Sequence, residues 1–115
     1  MSLSERQRRF TVCLSQLYVF IHEQGYEFTL GDAYRDPRAF GAWGIKGRYS
    51  HAYSVHKVRL AQDINLFVDG RYISDGCHPA YEEIGAYWKT LDPEAKWGGD
   101  FNDANHFSFI HRGMK

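Results

Sequence analysis

The sequence predicts a single α+β domain in which helices flank a largely antiparallel sheet. Three observations support this fold class: a long helical stripe near the N-terminus, strict apolar alternation between residues 60 and 68, and a second helical pattern that precedes a C-terminal strand. Runs of helix and strand in this order are typical of α+β domains. The 115 residues suit one domain spanning 1–115, which can bury roughly 60–70% of its unfolded surface.

The first helix is predicted from a capping pattern and an apolar stripe. Ser4-x-x-Gln7 resembles a capping box, which predicts a helix start at Ser4. Gly25 is a typical residue for the end of such a helix. The side chains at helical spacing, which we expect in the core, are Phe10, Leu14, Leu17 and Ile21.

A strand is predicted from Tyr26 to Tyr34, where Phe28 and Leu30 alternate with polar residues. The following stretch, residues 36–53, is irregular and contains three glycines. A loop of this length in a small domain is typically functional or mobile. We therefore expect a substrate-facing flap, with a merely disordered loop as the alternative.

The clearest strand signal runs from Leu60 to Val68. Leu60, Ile64, Leu66 and Val68 share one parity and are expected to face the core, whereas Asp63 has the other parity and lies beside the small Ala61 on an open face. Asp69-Gly70 then predicts a hairpin turn.

A second helix is predicted to open at Pro79, and its buried stripe is formed by Ile84, Tyr87, Trp88 and Leu91. The chain closes with a strand around His106 to Ile110. Phe107 and Phe109 are expected in its core face, so that His106 shares the open face.

Composition excludes several classes of function. The net charge is zero and the pI is about 7.0, which argues against electrostatic binding of nucleic acid or of an anionic membrane. No apolar run has the length of a membrane span, and the charged N-terminal stretch lacks a signal core. Cys13 and Cys77 stand in no paired motif, and we expect Cys13 to be a buried apolar residue. We therefore expect synthesis in a reducing cytoplasm.

Two short segments carry the chemistry of the chain. Ser54-x-His56 is followed by Asp63, and Asp103-x-x-His106 follows Trp97-Gly-Gly-Asp near the C-terminus. Two imidazoles and a carboxylate, with a spare carboxylate nearby, are the groups of a catalytic zinc site with one open position. His51 and His111 are the alternative ligands.

Geometry places a condition on this metal site. His56 and Asp63 have opposite parity, and a continuous strand would separate them by about 23 Å. Zinc ligands lie within ~2.0–2.2 Å of the ion. The site therefore requires a sharp turn between His56 and Ala61.

These segments resemble a known family. Ser54-Val-His56-x6-Asp63, together with Asp103-Ala-Asn-His106, is similar to the zinc peptidases that cut peptidoglycan stem peptides. They include D-alanyl-D-alanine carboxypeptidases, vancomycin-resistance dipeptidases and the L-alanyl-D-glutamate endopeptidases of phage endolysins. The resemblance covers about residues 34–107 and implies the small α+β fold shared with the Hedgehog signalling domain.

The resemblance also implies roles for individual residues. One zinc ion would be held by His56, Asp63 and His106. Asp103 would be the general base that activates the zinc-bound water and then protonates the leaving amine. Arg35 would steady the polarised carbonyl oxygen.

Further residues are candidates for substrate binding. Ser54 would hold the ligand loop or contact substrate. The basic residues Arg38, Lys57 and Arg59, with Lys46 and Arg48, could dock the carboxylates of a stem peptide, the alternative being solvated loop charges. Many family members have Gly where Arg59 stands, so we expect Arg59 to adopt an ordinary backbone conformation or the turn to differ.

The predicted function is that of a zinc-dependent peptidoglycan peptidase, most simply an endolysin of the L-alanyl-D-glutamate type. The dipeptidases of the family have Glu where this chain has Asp103, and the Asp favours the endolysin type. The alternatives are a D,D-carboxypeptidase or dipeptidase on the same fold, and a non-catalytic zinc-stabilised binding module. We expect a monomer without a separate cell-wall-binding domain. It would bind peptidoglycan, neither bind nucleic acid nor insert into a membrane, and act on the cell wall after release from the host cytoplasm.

Overall fold

The computed structural model describes residues 1–34, 43–44 and 54–115. These residues form two α-helices and five strands, which confirms the predicted α+β class. Neither helix is long and apolar enough to cross a membrane. In chain order, the elements are α1 (Leu3–Glu23), β1 (Glu27–Leu30), β2 (Ala61–Val68), β3 (Arg71–Tyr72), α2 (Pro79–Thr90), β4 (Ala95–Trp97) and β5 (His106–Phe109), with 3₁₀ segments at Val55–Val58 and Gly98–Phe101.

All strand pairs are antiparallel, in the order β1-β2-β5-β4, and β3 pairs with the end of β2. β2 pairs with β5 at residues 61–63 and with β3 at residues 67–68. Between these two segments, this edge of β2 has no strand partner among the described residues. The Tyr81 hydroxyl fills this gap, because it donates to the Ile64 carbonyl (3.2 Å) and accepts from the Leu66 amide (3.2 Å). A buried helix side chain thus completes the hydrogen bonding of the central strand.

α1 begins two residues earlier than predicted. Ser2 is the N-cap, and its hydroxyl accepts from the Glu5 amide (3.1 Å) in a full capping box. The predicted helix start at Ser4 was therefore wrong, although Ser2-x-x-Glu5 and Ser4-x-x-Gln7 both match the sequence pattern of a capping box. Gln7 instead donates to the Val58 carbonyl (2.8 Å), so its side chain joins α1 to the turn before β2.

The core lies between the two helices and one face of the sheet. The predicted stripe of α1 is buried, and the Phe10 ring packs edge-on against Trp88 (5.7 Å) and Phe109 (5.2 Å). Cys13 is buried as predicted. Leu60, Ile64 and Leu66 are fully buried as predicted, whereas Val68 is only half-buried and Ala61, expected on the open face, is buried too.

β1 is shorter than predicted. Gly31 donates to the Asp63 carbonyl (2.9 Å) and the Asp63 amide donates to Asp32 (2.7 Å), so two residues oppose one and the regular ladder ends. Leu30 is 58% exposed and does not join the core. The predicted flap at 36–53 lies outside the described residues except for 43–44.

The predicted hairpin turn at Asp69-Gly70 and the predicted start of α2 at Pro79 are both confirmed. Asp69 (φ 54°) and Gly70 (φ 75°) form a two-residue left-handed turn between β2 and β3. Pro79 opens α2, and His78 caps it by accepting from the Ala80 amide (3.0 Å). His78 is therefore a capping residue.

Trp97 joins α2 to the chain around the second histidine. Gly85 of α2 and Gly99 lie against its indole so closely that a Cβ at either position would overlap the ring. The indole Nε1 donates to the Ala104 carbonyl (2.7 Å). β4, which carries Trp97, was not predicted, because three residues are too few to show alternation.

Gly85→Ala tests this packing. Helix propensity alone favours Ala by about 1 kcal/mol, but overlap with the Trp97 ring is expected to lower the free energy of unfolding by about 1–3 kcal/mol. Urea denaturation measures the difference. Ala86→Gly, at the exposed neighbouring position, gives the propensity contribution alone. A stabilised Gly85→Ala protein would contradict the packing.

Candidate metal centre

A tight turn carries the first histidine. Ser54 caps the 3₁₀ segment Val55–Val58, and its hydroxyl accepts from the His56 amide (3.3 Å). The Leu60 amide then donates to the Val55 carbonyl (3.1 Å), which closes the turn immediately before β2. The predicted sharp turn between His56 and Ala61 is confirmed, and Ser54 helps to form it.

Arg59 closes this turn in the left-handed conformation, with φ 58° and ψ 35°. The expectation of an ordinary backbone conformation was therefore wrong. A left-handed residue is needed to pass from the 3₁₀ segment into β2, and a non-glycine residue there costs about 1–2 kcal/mol. The Arg59 guanidinium lies 3.9 Å from the centre of the Tyr34 ring, and this cation–π contact offsets part of the cost.

A second tight turn carries Asp103 and His106. The Asp103 amide donates to the Gly98 carbonyl (2.7 Å), and the His106 amide donates to the Asp103 carbonyl (2.9 Å). A Cβ at Gly98 would overlap the Asp103 carbonyl and crowd the His106 side chain. The Trp-Gly-Gly segment is thus explained by close packing, since only glycine lets the backbone approach so closely.

The sheet brings the two turns together. Asp63 of β2 is directly opposite His106 of β5, so both side chains lie on the same face. The turn at Val55–Val58 brings His56 back to this face. His56 and His106 are buried, and the Asp63 side chain is 16% exposed.

Three ligand atoms converge at this place. Asp63 Oδ1 lies 3.1 Å from His56 Nε2 and 3.4 Å from His106 Nδ1. All three atoms lie within 4.8 Å of one another. In a tetrahedral zinc site with ~2.0–2.1 Å bonds, ligand atoms are about 3.3 Å apart. The residues therefore fit one ion with little movement.

The hydrogen bonds on the far side of each ring set its tautomer. His56 Nδ1 is 2.7 Å from the Ala33 carbonyl, and His106 Nε2 is 3.1 Å from the Lys115 carbonyl. A carbonyl oxygen only accepts, so these nitrogens carry the protons. In the neutral rings, His56 Nε2 and His106 Nδ1 are then lone pairs that face Asp63. Three facing acceptors repel one another until protons or a metal cation lie between them.

Asp63 is held as an anion. Burial of the carboxyl group would raise its pKa, but hydrogen bonds from His106 and His56 and their positive charge lower it to about 2. The lowered pKa keeps Asp63 in the carboxylate form, which is the form that can bind a metal.

Asp103 lies beside the three ligands without joining them. Its Oδ2 is 3.8 Å from His106 Nδ1, and its side chain is 55% exposed. It also lines a polar cavity of about 260 Å³. This position suits a group that exchanges protons at an open coordination position better than it suits a fourth ligand. The other polar residues that line this cavity include Tyr72, Ser74, Asn102 and Asn105.

Other predicted site residues have different surroundings. Lys57 is buried, with 5% exposure, because it lies in the turn between His56 and Val58. Its burial does not fit the surface position expected of it, and its role in docking substrate stays a prediction. Arg59 is exposed. Arg35, Arg38, Lys46, Arg48 and the alternative ligand His51 lie outside the described residues.

His111 is not part of the ligand group. Its Nδ1 lies 3.1 Å from Arg6 Nη1, and its ring meets the Trp43 ring edge-on at 4.8 Å. Burial and the charges of Arg6 and Arg112 lower its pKa. His111 is thus a structural residue that anchors the chain after β5.

Sequence reasoning missed the groups that orient the ligands. The carbonyl groups of Ala33 and Lys115 carry no sequence signal, because every residue offers the same atom. Gly98 and Trp97 were noted only as neighbours of Asp103, although their spacing before it could have suggested a close-packed turn.

No protein-family model matches the sequence, and no curated protein matches it significantly.

The lowered pKa of Asp63 predicts a pH dependence of stability in the zinc-free protein. A carboxyl group with a folded-state pKa of about 2, against 3.8 unfolded, stabilises the fold above pH ~4, and this contribution is lost as the pH falls towards 2. The expected loss is about 2 kcal/mol. Urea denaturation at pH 4 and pH 2 measures it. Asp63→Asn should lack this part of the pH dependence, and Asp69→Asn, in the exposed hairpin turn, should retain it. Equal pH profiles for all three proteins would contradict the assignment.

Proposed function

We propose that this protein is a zinc-dependent peptidase that hydrolyses an amide bond in peptidoglycan stem peptides, as an L-alanyl-D-glutamate endopeptidase. The observation that carries the proposal is the meeting of His56 Nε2, Asp63 Oδ1 and His106 Nδ1 beside the exposed Asp103. A structural zinc site is closed by four protein ligands, whereas a catalytic site uses three and leaves one position open. Three ligands and an adjacent free carboxylate match the catalytic arrangement.

Each residue has a chemical task in this proposal. A zinc ion bound by the three ligands supplies a Lewis acid and lowers the pKa of water at the open position. Asp103 Oδ2 takes the proton from the attacking water and returns it to the leaving nitrogen. Asp63, an anion, balances part of the metal charge, and the Ala33 and Lys115 carbonyls keep the two rings in their ligating orientation.

The surroundings of Asp103 suit a peptide substrate. The cavity that it lines is bordered by hydroxyl and carboxamide groups, which can pair with the N–H and C=O groups of an extended peptide. A peptide bound in this cavity would lie beside Asp103, the proposed proton acceptor, whereas none of the three proposed metal ligands lines it.

The choice of peptidoglycan as the substrate class rests on the sequence motifs. Both segments, Ser54-x-His56-x6-Asp63 and Asp103-x-x-His106, agree in spacing with the peptidoglycan peptidases. The exposed Arg59, next to the ligand turn, adds a cation that suits the carboxylates of a stem peptide. By the same resemblance, Arg35 would steady the carbonyl oxygen and Arg38 would contribute to docking.

Asp103→Asn tests the catalytic role. The variant should still bind one zinc per chain, because Asp103 is not a ligand, but its activity should fall about 10²–10⁴-fold without the proton acceptor. Zinc content and turbidity loss of a peptidoglycan suspension are measured together. Asp100→Asn is the matched control, because this carboxylate is also exposed but is bonded to Lys89 Nζ (3.0 Å).

The outcomes separate the candidate functions. A zinc-loaded wild type without activity on any peptidoglycan would favour a non-catalytic zinc module. Full activity in Asp103→Asn would remove Asp103 from the mechanism. Mass spectrometry of products from a defined muropeptide tells cleavage between L-alanine and D-glutamate from release of D-alanine, which would indicate the carboxypeptidase alternative.

Arg59→Glu tests the docking role. Reversing this exposed charge should raise KM for muropeptides by about 3–10-fold. Because the change also removes the contact with Tyr34 that supports the ligand turn, zinc content is measured alongside to show that the site still forms. Arg8→Glu on the exposed surface of α1 controls for a change in net charge. An unchanged KM, or an equal rise in both variants, would contradict a specific docking role.

A further inference from the structure

We infer that the chain after β5 is part of the metal centre, and that the backbone carbonyl of Lys115 positions the ligand His106. The inference rests on the proposed zinc site, and it adds a positioning group that no motif reveals. It concerns a segment of five residues, 111–115, that folds back towards β5.

This segment is a small hairpin. The His111 amide donates to the Met114 carbonyl (2.7 Å), and the Met114 amide donates to the His111 carbonyl (2.9 Å). Arg112 (φ 47°) and Gly113 (φ 81°) form the left-handed two-residue turn between them. The turn reverses the chain and thereby returns Lys115 to the end of β5 at which His106 lies.

The base of the hairpin is anchored to the rest of the fold. His111 Nδ1 lies 3.1 Å from Arg6 Nη1, and Arg6 also pairs with Glu94 (2.9 Å). The Ile110 amide donates to the Glu94 carbonyl (3.0 Å). The Arg6 side chain is largely buried, so α1 and the residue before β4 hold the hairpin in place.

The free end of the hairpin contacts His106. The Lys115 carbonyl accepts from His106 Nε2 (3.1 Å), and Lys115 Nζ lies 5.3 Å from the centre of the Phe101 ring. That ring in turn meets the His106 ring edge-on at 5.7 Å. His106 is therefore held by a hydrogen bond on its outer nitrogen and by an aromatic neighbour.

The hydrogen bond has a direct consequence for metal binding. Because the carbonyl can only accept, it keeps the proton on Nε2 and leaves the Nδ1 lone pair directed at Asp63. A 180° rotation of the ring would lose this bond. Partners of this kind typically contribute 10–100-fold to metal affinity.

His56 has an equivalent partner in the Ala33 carbonyl (2.7 Å), but that group lies within the chain and cannot be deleted. The Lys115 carbonyl can be deleted by shortening the chain. A chain that ends at Gly113 lacks this main-chain oxygen and also Met114, which pairs with the His111 backbone, whereas Lys115→Ala keeps the oxygen and removes only the side chain. Comparing these two variants separates the effect of the main-chain oxygen from that of the Lys115 ammonium group, which lies over the Phe101 ring.

The experiment measures zinc affinity by competition with a chromophoric chelator in the full chain, the chain ending at Gly113 and Lys115→Ala. Urea denaturation of the zinc-free forms shows whether each is folded. Nitrogen-15 NMR of the imidazoles, above their titration range, reports the tautomer of His106. We expect 10–100-fold weaker zinc binding in the shortened chain, full affinity in Lys115→Ala, and loss of the pure Nε2–H tautomer in the shortened chain alone.

Equal zinc affinity in all three proteins would overturn the inference and leave the proposed function standing. A loss in Lys115→Ala as large as that of the shortened chain would overturn it as well, because the side chain would then be responsible. So would weaker binding with an unchanged His106 tautomer. If the full chain binds no zinc, both the inference and the proposed function fail.

Discussion

The Asp63 carboxylate holds the candidate site together, because it faces two imidazoles that come from distant parts of the chain. One oxygen lies 3.1 Å from His56 Nε2 and 3.4 Å from His106 Nδ1. The arrangement depends on the β2–β5 register that places Asp63 opposite His106. A slip of one residue would turn Asp63 to the other face, so the sheet register and the site are fixed together.

The two turns that flank this carboxylate are built alike. Each is a 3₁₀ segment of four residues that ends at a left-handed non-glycine residue, Arg59 in the first turn and Asn102 in the second. Residues in that conformation are strained unless the surrounding structure holds them. The first turn brings His56 Nε2 to 3.1 Å from Asp63 Oδ1, and the second is followed by Asp103, whose Oδ2 lies 3.8 Å from His106 Nδ1. Packing of Gly98 and Trp97 supports the second turn, and the Arg59–Tyr34 contact supports the first.

The fold was largely predictable because its strongest signals are periodic. The stripe from Phe10 to Ile21 follows from burial of one face and is confirmed, as is the burial of Leu60, Ile64 and Leu66, although Val68 is only half-buried. The start of α1 was misplaced because Ser2 and Ser4 both fit a capping pattern, and only tertiary contacts of Gln7 decide between them. β4 was missed because three residues carry no usable period.

The meeting of His56, Asp63 and His106 was predictable because their side chains carry the chemistry of a metal site and their spacing restricts the turn. The groups behind the ligands were not, because the Ala33 and Lys115 carbonyls are backbone atoms whose positions depend on the folded chain. The burial of Lys57 was missed for a related reason, since its charge suggested a surface position while its place in the His56 turn buries it.

The central claim is that His56, Asp63 and His106 bind one zinc ion. X-ray absorption at the zinc edge of the purified, zinc-loaded protein tests it most directly. With His56, Asp63 and His106 as ligands, we expect one ion per chain with two imidazole nitrogens at about 2.0–2.1 Å, further oxygen ligands at about 2.0–2.2 Å and no sulfur. A sulfur shell near ~2.3 Å, which would implicate Cys77 or Cys13, or one imidazole instead of two, would contradict it.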